Sequence, residues 1–580
     1  MNEKEQDINF KSLFLPFTTK KAVFYIFLLG FIVFFFSIFN GFVGDDFGQI
    51  VNNTRLNSLG NIFSYFSTST FYNQSTQSFS GGFYRPLMLA YFSLVHVAFG
   101  ANPFFFHLIQ VILYTLSSAL LFLVLKHFFK LHIAFFLSLI FLIHPMNSEI
   151  ALYVSDTQDV FFFLFGLLAL LILQSNKSIK AILLSSICLF ISLFAKETAI
   201  LFVLITTIYV FFYQKRNIGK YILISGFLFC IYFLVRFHAI GIYPQTAPVP
   251  IWNTNILIRL LNLPAIFFFY LQNFAFPINL SITFQWVHTE INLLNFVIPL
   301  VIDVMFLVAI TSLAIFIFKK YDRKYNLKFL FFMSWFFIGI IPYLQFIPLD
   351  ATVVDRWFYF PMVGVLGMLA VIYEKINYSL KQKLTLILTI LLLVIFSGRT
   401  FIRSLDFKDN LTLENNDIKV SKEAFDLENQ LGFTYYAMGS LNEAKMHAEK
   451  SIKLFPNATN YNLLGAIYVG LSNYPLAKAS YEKALRYGDN YFTFDNLAAL
   501  SLIYGNDKEN INFIKNTALK KVPKDSILWN CLALLEYRIG NLKEAKDAIT
   551  RAHDLDKHEI ISKNYNLIMN NVSLTSKRWQ

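Results

Sequence analysis

Two adjacent carboxylates, Asp45 and Asp46, follow the first long apolar run, within the sequence Gly-Asp-Asp-Phe-Gly. Charge at the edge of an apolar span is costly unless the protein uses it. A carboxylate placed there can accept the proton of an attacking hydroxyl, which is the task of a general base. A solvated turn is the simpler interpretation of the dipeptide alone, so the choice depends on the polar residues elsewhere in the chain.

Other polar residues also occur where apolar runs end. They are Arg85, His144, Glu149, Asp156, Lys196, Glu197, Asp355 and Arg356. Guanidinium groups match phosphate oxygens as a planar fork, and the Lys ammonium supplies a point charge. Contact with lipid headgroups is the simpler alternative for any basic residue at the end of a span. No spacing of His residues typical of a metal site is present, and His144 is expected to be a hydrogen-bonding residue at a helix end.

The composition requires a membrane to surround much of the chain. Of 580 residues, 56% are hydrophobic and 15% charged, against about 45–50% and about 25% in soluble proteins. A soluble enzyme, a disordered regulator and a disulfide scaffold are excluded, the last because there are only three Cys. The net charge of +13 indicates no nucleic acid partner, because the basic residues lie in short loops between apolar runs and form no basic face.

Eleven apolar runs between residues 22 and 398 are strong candidates for membrane-spanning helices. Two further segments are ambiguous. Residues 86–99 suit a helix lying in the headgroup plane, and residues 259–277, with Pro264 and Pro277, suit a broken or re-entrant element. The fold class predicted is therefore all-α, with 11 to 13 spans followed by a soluble helical domain.

Basic loops alternate with loops that are poor in Lys and Arg, and this sets the orientation. Residues Lys319 to Lys328 form the densest basic loop and are expected to be cytoplasmic. An odd number of spans then places the C-terminal domain on the outer side. The predicted order is a cytoplasmic N-terminus over 1–21, a membrane domain over 22–398, a connector over 399–425 and the outer domain over 426–580. The candidate residues above then share the outer face.

The C-terminal part repeats with a period near 34 residues. One unit reads Tyr461, Leu464, Gly465, Tyr468, Ala477, Tyr481, Ala484. This pattern resembles tetratricopeptide repeats, with about four copies over residues 425–557. Such α-solenoids present a concave surface that binds peptides or proteins, although some only pack on a neighbouring domain.

The order of all these motifs resembles a specific family. It runs Gly-Asp-Asp, Arg-Pro-Leu, Phe-His, His-Pro with Ser-Glu, Lys-Glu-Thr, Asp-Arg with Tyr and Pro, and then the repeats. It is similar to the transmembrane and tetratricopeptide-repeat O-mannosyltransferases, which belong to the GT-C superfamily of glycosyltransferases that use polyprenyl-phosphate sugars. Gln110 stands where that family usually has Asn, and Asp355 where Glu is common. Both replacements keep the chemistry but leave the sugar and acceptor open.

The resemblance implies a role for each candidate residue. Asp45 or Asp46 would deprotonate a Ser or Thr hydroxyl of a protein acceptor, in a single displacement that inverts the anomeric carbon. The lipid phosphate would be held by Arg85, Lys196 and Arg356. Substrate would be bound by His144, Glu149, Asp156, Glu197 and Asp355. No metal is required, although carboxylates from two outer loops have the oxygen chemistry that Mg²⁺ or Mn²⁺ prefers.

Two other functions compete with this interpretation. An O-antigen ligase or polymerase of the cell envelope would have a large outer loop late in the chain, whereas residues 348–356 are a short one. A non-catalytic scaffold or a transporter would use the repeats for docking, but a scaffold has no need of the outer acidic residues, and a transporter should carry paired charges near mid-span. The Phe, Ile, Asn and Lys bias favours a bacterial inner membrane with periplasmic repeats; in a eukaryote the location would be the ER.

Overall fold

A computed structural model describes residues 16–73, 78–79, 82–241, 249–374, 379–488 and 491–572. The chain forms two compact units. The membrane unit comprises 1–70 and 82–422, and the repeat unit comprises 71–81 and 423–580. Most of the predicted cytoplasmic N-terminus, residues 1–15, lies outside the described residues.

Sixteen α-helices form the described part of the membrane unit. They are α1 (Thr19–Phe34), α2 (Ile62–Tyr65), α3 (Pro86–Phe99), α4 (Pro103–Leu125), α5 (Leu131–Ile143), α6 (Ser148–Leu152), α7 (Thr157–Ser175), α8 (Ile179–Ala195), α9 (Ile200–Tyr213), α10 (Ile218–Ile240), α11 (Ile256–Ala275), α12 (Ile298–Lys320), α13 (Arg323–Ile340), α14 (Tyr359–Tyr373), α15 (Ser379–Asp406) and α16 (Asn410–Val420). Short 3₁₀ turns begin several of them.

The apolar helices confirm the predicted class of fold. Among the described residues, eight helices are long and apolar enough to cross a membrane, and the bent pair Leu131–Ile143 and Pro145–Leu152 adds a ninth if it forms one span. Three shorter apolar helices, Pro86–Phe99, Ile179–Ala195 and Glu197–Tyr213, accompany them. Helices α7 and α8 pack on each other, as do α13 and α14.

Residues 259–277, which the sequence left ambiguous, do not form the broken or re-entrant element that their prolines suggested. Helix α11 is continuous from Ile256 to Ala275 with Pro264 inside it, and it is long and apolar enough to span. Proline is tolerated within membrane helices where neighbouring groups compensate for the lost backbone hydrogen bond. The connector predicted over 399–425 is largely helical, since α15 ends at Asp406 and α16 follows within the membrane unit.

The repeat unit consists of helical pairs. Its helices are α17 (Phe425–Ala437), α18 (Leu441–Leu454), α19 (Ala458–Gly470), α20 (Tyr474–Tyr487), α21 (Tyr491–Ser501), α22 (Asp507–Phe513), α23 (Leu519–Lys521), α24 (Ser526–Arg538), α25 (Leu542–Leu555) and α26 (Glu559–Met569). A two-residue antiparallel pairing of β1 (Tyr72–Asn73) with β2 (Ser78–Phe79) is the described β-structure of this unit.

Small residues let the two helices of a repeat approach each other, as the sequence predicts. A Cβ atom on Gly465 would lie 2.5 Å from the Tyr481 ring of the partner helix. Gly439 lies in the turn between α17 and α18 and Gly540 in the turn between α24 and α25, with φ angles of +80° and +88°, a region that favours glycine. The third pair is irregular, because its second helix is split into α22, a π-turn over Ile514–Ala518 and α23.

Candidate active site

Asp45 and Asp46 lie in the turn after α1 and differ sharply in environment. The Asp46 side chain is completely buried, whereas that of Asp45 is exposed. Asp46 accepts hydrogen bonds from the Val43 backbone N–H (3.1 Å), the Ser155 backbone N–H (2.8 Å) and the Ser155 hydroxyl (2.5 Å). Its oxygens are thus engaged inside the protein, and Asp45 is the carboxylate that a substrate can reach.

The backbone around the pair is held from several sides. The Asp45 backbone N–H donates to the Tyr153 hydroxyl at 2.6 Å, and the Gly44 N–H donates to Asn410 Oδ1 at 2.7 Å. Gly44 has a φ angle of +52°, and a Cβ atom there would lie 2.6 Å from the same Tyr153 hydroxyl. Only glycine therefore allows this turn to pack on Tyr153. His107 binds the Gly41 carbonyl through Nε2 at 3.1 Å.

Burial, and after it the nearby charges, shift the pKa of both carboxyl groups. Burial raises the pKa of Asp46 to about 7, despite the opposing hydrogen bonds from Ser155 and Val43. Although the Asp45 side chain reaches solvent, the protein around it removes part of its hydration and raises its pKa, and the negative charge of Asp350 acts in the same direction. The positive charges of Arg356 and Arg85 oppose this rise. A carboxylate with a raised pKa is a better proton acceptor than an ordinary Asp.

Arg356, at the start of the turn before α14, is paired with two buried carboxylates. Its Nη1 contacts Glu149 Oε1, and its Nε lies 3.6 Å from Asp156 Oδ1. The Arg356 side chain is 20% exposed, against 4% and 3% for Glu149 and Asp156. Oxygens Oε2 of Glu149 and Oδ2 of Asp156 are buried and have no hydrogen-bond partner among the described residues. Such atoms are costly unless a ligand completes them.

Lys196 forms a closed pair with Asp159. Its Nζ lies 2.7 and 2.8 Å from the two Asp159 oxygens, and both side chains are buried. The positive charge of Lys196 is thus neutralised by a carboxylate inside the protein.

Arg85, by contrast, has one long contact. Its Nη2 lies 3.7 Å from Glu197 Oε1, and the Glu197 side chain is 42% exposed. The guanidinium covers the Phe83 ring at 4.4 Å, and its Nε is buried without a hydrogen-bond partner in the described chain.

Arg236, near the C-terminal end of α10, was not among the residues that the sequence analysis singled out. Tyr232 lies one helical turn earlier on the same face and packs against Tyr84, the neighbour of Arg85, with ring centroids 6.3 Å apart. Although burial acts to raise it, the pKa of Glu197 is held below its usual value by the positive charge of Arg85 and, to a smaller extent, by those of Lys196 and Arg236. A basic residue at the end of an apolar run that is predicted to face the outer side, against the inside bias of the other basic residues, was the signal that could have indicated it.

Two predicted substrate-binding residues make internal contacts. His144 Nε2 bonds to the Phe274 carbonyl at 3.0 Å, and its Nδ1 accepts the Met146 N–H at 3.3 Å. Asp355 accepts hydrogen bonds from Asn273 Nδ2 (3.1 Å) and the Ser281 N–H (3.0 Å). Both residues are buried and join α11 or the loop after it to other elements. In the structure the hydrogen bonds of His144 and Asp355 are made to protein groups, most of them in the backbone.

Gln110, where the family resemblance expected Asn, also positions backbone. Its Nε2 donates to the Ile150 carbonyl at 2.6 Å, and its Oε1 accepts from the Thr157 hydroxyl at 2.6 Å. Helix α4 is thus tied to the turns that carry Ser155 and Asp156. No group of three or more His, Cys, Asp or Glu side chains suited to a metal ion occurs among the described residues.

Comparisons with known proteins agree with the resemblance seen in the sequence. A family model of the tetratricopeptide repeat matches residues 429–457 and 458–487. The chain is 24% identical over 440 residues to Protein O-mannosyl-transferase F38B6.6 of Caenorhabditis elegans, covering 72% of this chain and 60% of that one. It is 22% identical over 584 residues to Protein O-mannosyl-transferase TMTC3 of Homo sapiens, covering 90% and 63%.

A third match is shorter than these two but has a higher sequence identity. Over 133 residues, 22% of this chain, it is 33% identical to Protein O-mannosyl-transferase TMTC1 of Homo sapiens, 15% of whose length is covered. The chain spans about three fifths of the length of the first two relatives. The predicted resemblance to transmembrane and tetratricopeptide-repeat O-mannosyltransferases is confirmed.

Proposed function

We propose that this chain is a membrane glycosyltransferase that transfers a sugar, mannose by analogy with the names of its relatives, from a polyprenyl-phosphate donor to Ser or Thr hydroxyls of polypeptides. The observation that carries the proposal is the exposed Asp45 carboxylate beside the fully buried Asp46. It supplies one accessible base at the edge of a set of apolar helices, with cationic and acidic side chains around it.

The proposed reaction is a single displacement. Asp45 accepts the proton of the acceptor hydroxyl while that oxygen attacks the anomeric carbon from the face opposite the phosphate. The bond between the anomeric carbon and the phosphate oxygen breaks, and polyprenyl phosphate departs as a stable anion that needs no strong acid. The anomeric configuration inverts. A positioned base of this kind contributes about 10²–10⁴-fold to the rate.

Arg85 and Arg236 are the proposed cations for the lipid phosphate. Lys196 is neutralised by Asp159, and Arg356 faces both Glu149 and Asp156. Arg85 keeps only a 3.7 Å contact with the partly exposed Glu197. Guanidinium groups bind phosphate oxygens through charge-assisted hydrogen bonds. Two of them at the outer ends of α3 and α10 suit a phosphate group whose lipid tail lies in the membrane.

Glu149 and Asp156 are the proposed sugar-binding residues. Each has one carboxylate oxygen buried without a partner in the described residues, while the other oxygen faces Arg356. Sugar hydroxyls are hydrogen-bond donors that would complete these oxygens. The positive charge of Arg356, which lies against both groups, would offset the repulsion between the two carboxylates. The displacement has no step that requires a protein-bound metal ion.

The distribution of basic loops supports a membrane protein with the site and the repeats on the non-cytoplasmic side. That side is the periplasm if the source is a bacterium and the ER lumen if it is a eukaryote. The acceptor there would be a polypeptide, and tetratricopeptide repeats are suited to bind one.

The orientation is tested by thiol labelling in intact membranes. An impermeant thiol reagent should label the variant Trp529→Cys, whereas the variant Lys324→Cys should be protected from it.

The function is tested with purified full-length protein, radiolabelled polyprenyl-phosphate mannose and an unfolded Ser- and Thr-rich polypeptide. Mass analysis should find hexose on Ser or Thr, with the same yield after EDTA treatment as with added Mg²⁺ or Mn²⁺. Assays with polyprenyl-phosphate glucose as the donor test whether another sugar is transferred. Assays with a glycolipid acceptor test whether another class of acceptor is used. Absence of transfer to any hydroxyl acceptor, with intact donor binding, would refute the proposal.

A further inference from the structure

A cavity of about 680 Å³ lies inside the membrane unit, between helices α5, α14 and α15. Its volume falls in the range of sites that hold small molecules, about 300–1,000 Å³. Most of its lining is apolar, and helix α5 contributes Ile133, Phe136, Leu137 and Ile140. These four residues lie on one face of the helix and extend over about 10 Å along it. The walls can therefore hold part of a hydrocarbon chain.

The cavity is polar at one end. Lys130 and His132 line it at the N-terminal end of α5, and Tyr373 and Glu374 line it where α14 ends. The Glu374 carboxylate accepts a hydrogen bond from Lys328 Nζ at 2.6 Å. Lys328 belongs to the basic loop that is predicted to be cytoplasmic, so the polar end of the cavity is predicted to lie on that side.

The candidate active site lies at the other ends of the same two helices. Glu149 follows α5, and Arg356 precedes α14. Helix α5 has 13 residues, which separate Lys130 from the turn after the helix by about 20 Å. The cavity is thus distinct from the candidate active site. A donor whose phosphate lies near Asp45, as in the proposed function, would not reach the polar end of the cavity with that phosphate.

Lys130 gives the polar end of the cavity a positive charge. Within the described chain, the ammonium group of Lys130 has no hydrogen bond or ion pair, and its side chain is exposed. The charge of Glu374 is neutralised by Lys328, and their side chains are 8% and 7% exposed. Tyr373, which is half-buried, adds a hydroxyl donor. An anionic group that accepts hydrogen bonds, such as a phosphate, is complementary to this end.

Helix α15 closes the far side of the cavity. It meets α5 near the C-terminal end of that helix, where the Thr400 hydroxyl donates to the Ile143 carbonyl at 2.7 Å. Towards its N-terminus, α15 lines the cavity with Leu386 and Thr389. A space of this size between packed helices deprives its walls of dispersion contacts. An apolar chain between α5 and α15 would restore those contacts.

We infer that the cavity binds one molecule of an anionic phospholipid, with an acyl chain between α5, α14 and α15 and the phosphate beside Lys130. The inference goes beyond the proposed function and does not depend on it. The headgroup supplies the negative charge that Lys130 lacks, and the acyl chain supplies the apolar contacts. A zwitterionic phospholipid would bring its own cationic group towards Lys130 and would therefore bind more weakly. The bound lipid would hold the three helices together without touching the reacting atoms.

The test is lipid binding to the delipidated full-length protein in detergent, measured by native mass spectrometry. The probes are dioleoyl phosphatidylglycerol and dioleoyl phosphatidylcholine, which share their acyl chains and differ in headgroup charge. Phosphatidylglycerol should bind with a Kd lower by about fivefold or more, the effect of one Lys beside an anionic headgroup. Two competitors identify the occupant. Glycerol 3-phosphate, which has the charged group without acyl chains, should not displace phosphatidylglycerol, and neither should polyprenyl phosphate.

Two variants test the two parts of the cavity. Lys130→Gln should raise the Kd of phosphatidylglycerol about fivefold and leave that of phosphatidylcholine within about twofold. Ala370→Phe, at a buried position of the cavity wall, should raise the Kd of both lipids at least about tenfold, because the ring takes the space of several methylene groups. The matched control is Lys180→Gln, at an exposed basic position in the first turn of α8, which should bind both lipids as the unchanged protein does.

Three results would overturn the inference. The first is an equal Kd for the two lipids in the unchanged protein, a comparison that needs no variant. The second is a Lys130→Gln variant that keeps the preference for phosphatidylglycerol. The third is displacement of phosphatidylglycerol by a competitor, since polyprenyl phosphate would then assign the cavity to the donor lipid and glycerol 3-phosphate would assign it to a soluble phosphate compound. If Ala370→Phe aggregates, the headgroup comparison and the exposed Lys130 position still decide the outcome.

Discussion

The carboxylate of Asp46 accepts hydrogen bonds from both the backbone N–H and the hydroxyl of Ser155, at 2.8 and 2.5 Å. This contact joins the turn after α1 to the turn before α7. It fixes Asp46 inward, and the next residue towards the N-terminus, Asp45, consequently has its side chain exposed. The two adjacent acidic residues thus differ in environment: Asp46 is hydrogen-bonded inside the turn, and the Asp45 side chain is exposed.

Loss of a proposed phosphate cation should weaken donor binding. Arg236→Gln and Arg85→Gln should each raise KM for the polyprenyl-phosphate donor by about tenfold or more, since a charge-assisted hydrogen bond is lost. Arg236→Lys should keep part of the affinity. The control is Arg216→Gln, an exposed Arg just before the opposite end of the same helix α10. An unchanged donor KM in Arg236→Gln would remove this residue from the site.

The pH dependence of transfer should respond to Asp350. Its negative charge raises the pKa of Asp45, so Asp350→Asn should lower that pKa and leave the base deprotonated at lower pH. The acid limb of kcat/KM should therefore move to lower pH. Asp350 is exposed, which makes misfolding a weak explanation for any change. The control Glu290→Gln, another exposed acidic residue of the same unit, should leave the limb in place. A shift of the limb to higher pH would contradict the assignment.

The Lys196 and Asp159 pair should behave as a structural pair. Lys196→Met alone leaves a buried carboxylate uncompensated and should destabilise the protein by about 3–5 kcal/mol. The double variant Lys196→Met with Asp159→Leu should recover most of the loss. Thermal aggregation in detergent follows the loss of stability in the single variant and its recovery in the double variant. The control is Lys180→Met, at an exposed position near the other end of α8. If Lys196→Met changes donor KM without changing stability, Lys196 binds phosphate after all.

Sequence periodicity predicted most of the fold because the signals are local. Apolar length defines a span, and the period near 34 defines the repeats. The course of residues 259–277 was not predictable in this way, since tolerance of Pro264 depends on what packs against α11. The irregular third repeat likewise depends on how α22 and α23 pack.

The candidate site was predictable in residue type but not in pairing. The sequence placed Arg85, Lys196 and Arg356 together as cations, and it could not show that Lys196 is matched by Asp159 or Arg356 by Glu149 and Asp156. Pairing is decided by residues that are distant in the chain, such as the 207 positions between Glu149 and Arg356. The same limit explains why Asp45 and Asp46 could not be told apart, because Ser155 lies 109 positions from Asp46.

The most direct test of the account is single-turnover transfer by Asp45→Ala and Asp46→Ala, each with and without azide. Asp45→Ala should bind donor normally and lose transfer by about 10²–10⁴-fold. Azide, a nucleophile that carries no proton to remove, should restore donor cleavage and yield an inverted glycosyl azide. Asp46→Ala should be less stable and should keep part of its transfer activity. Azide should not increase donor cleavage by this variant. Normal transfer by Asp45→Ala, or azide rescue confined to Asp46→Ala, would contradict the assignment of Asp45 as the base.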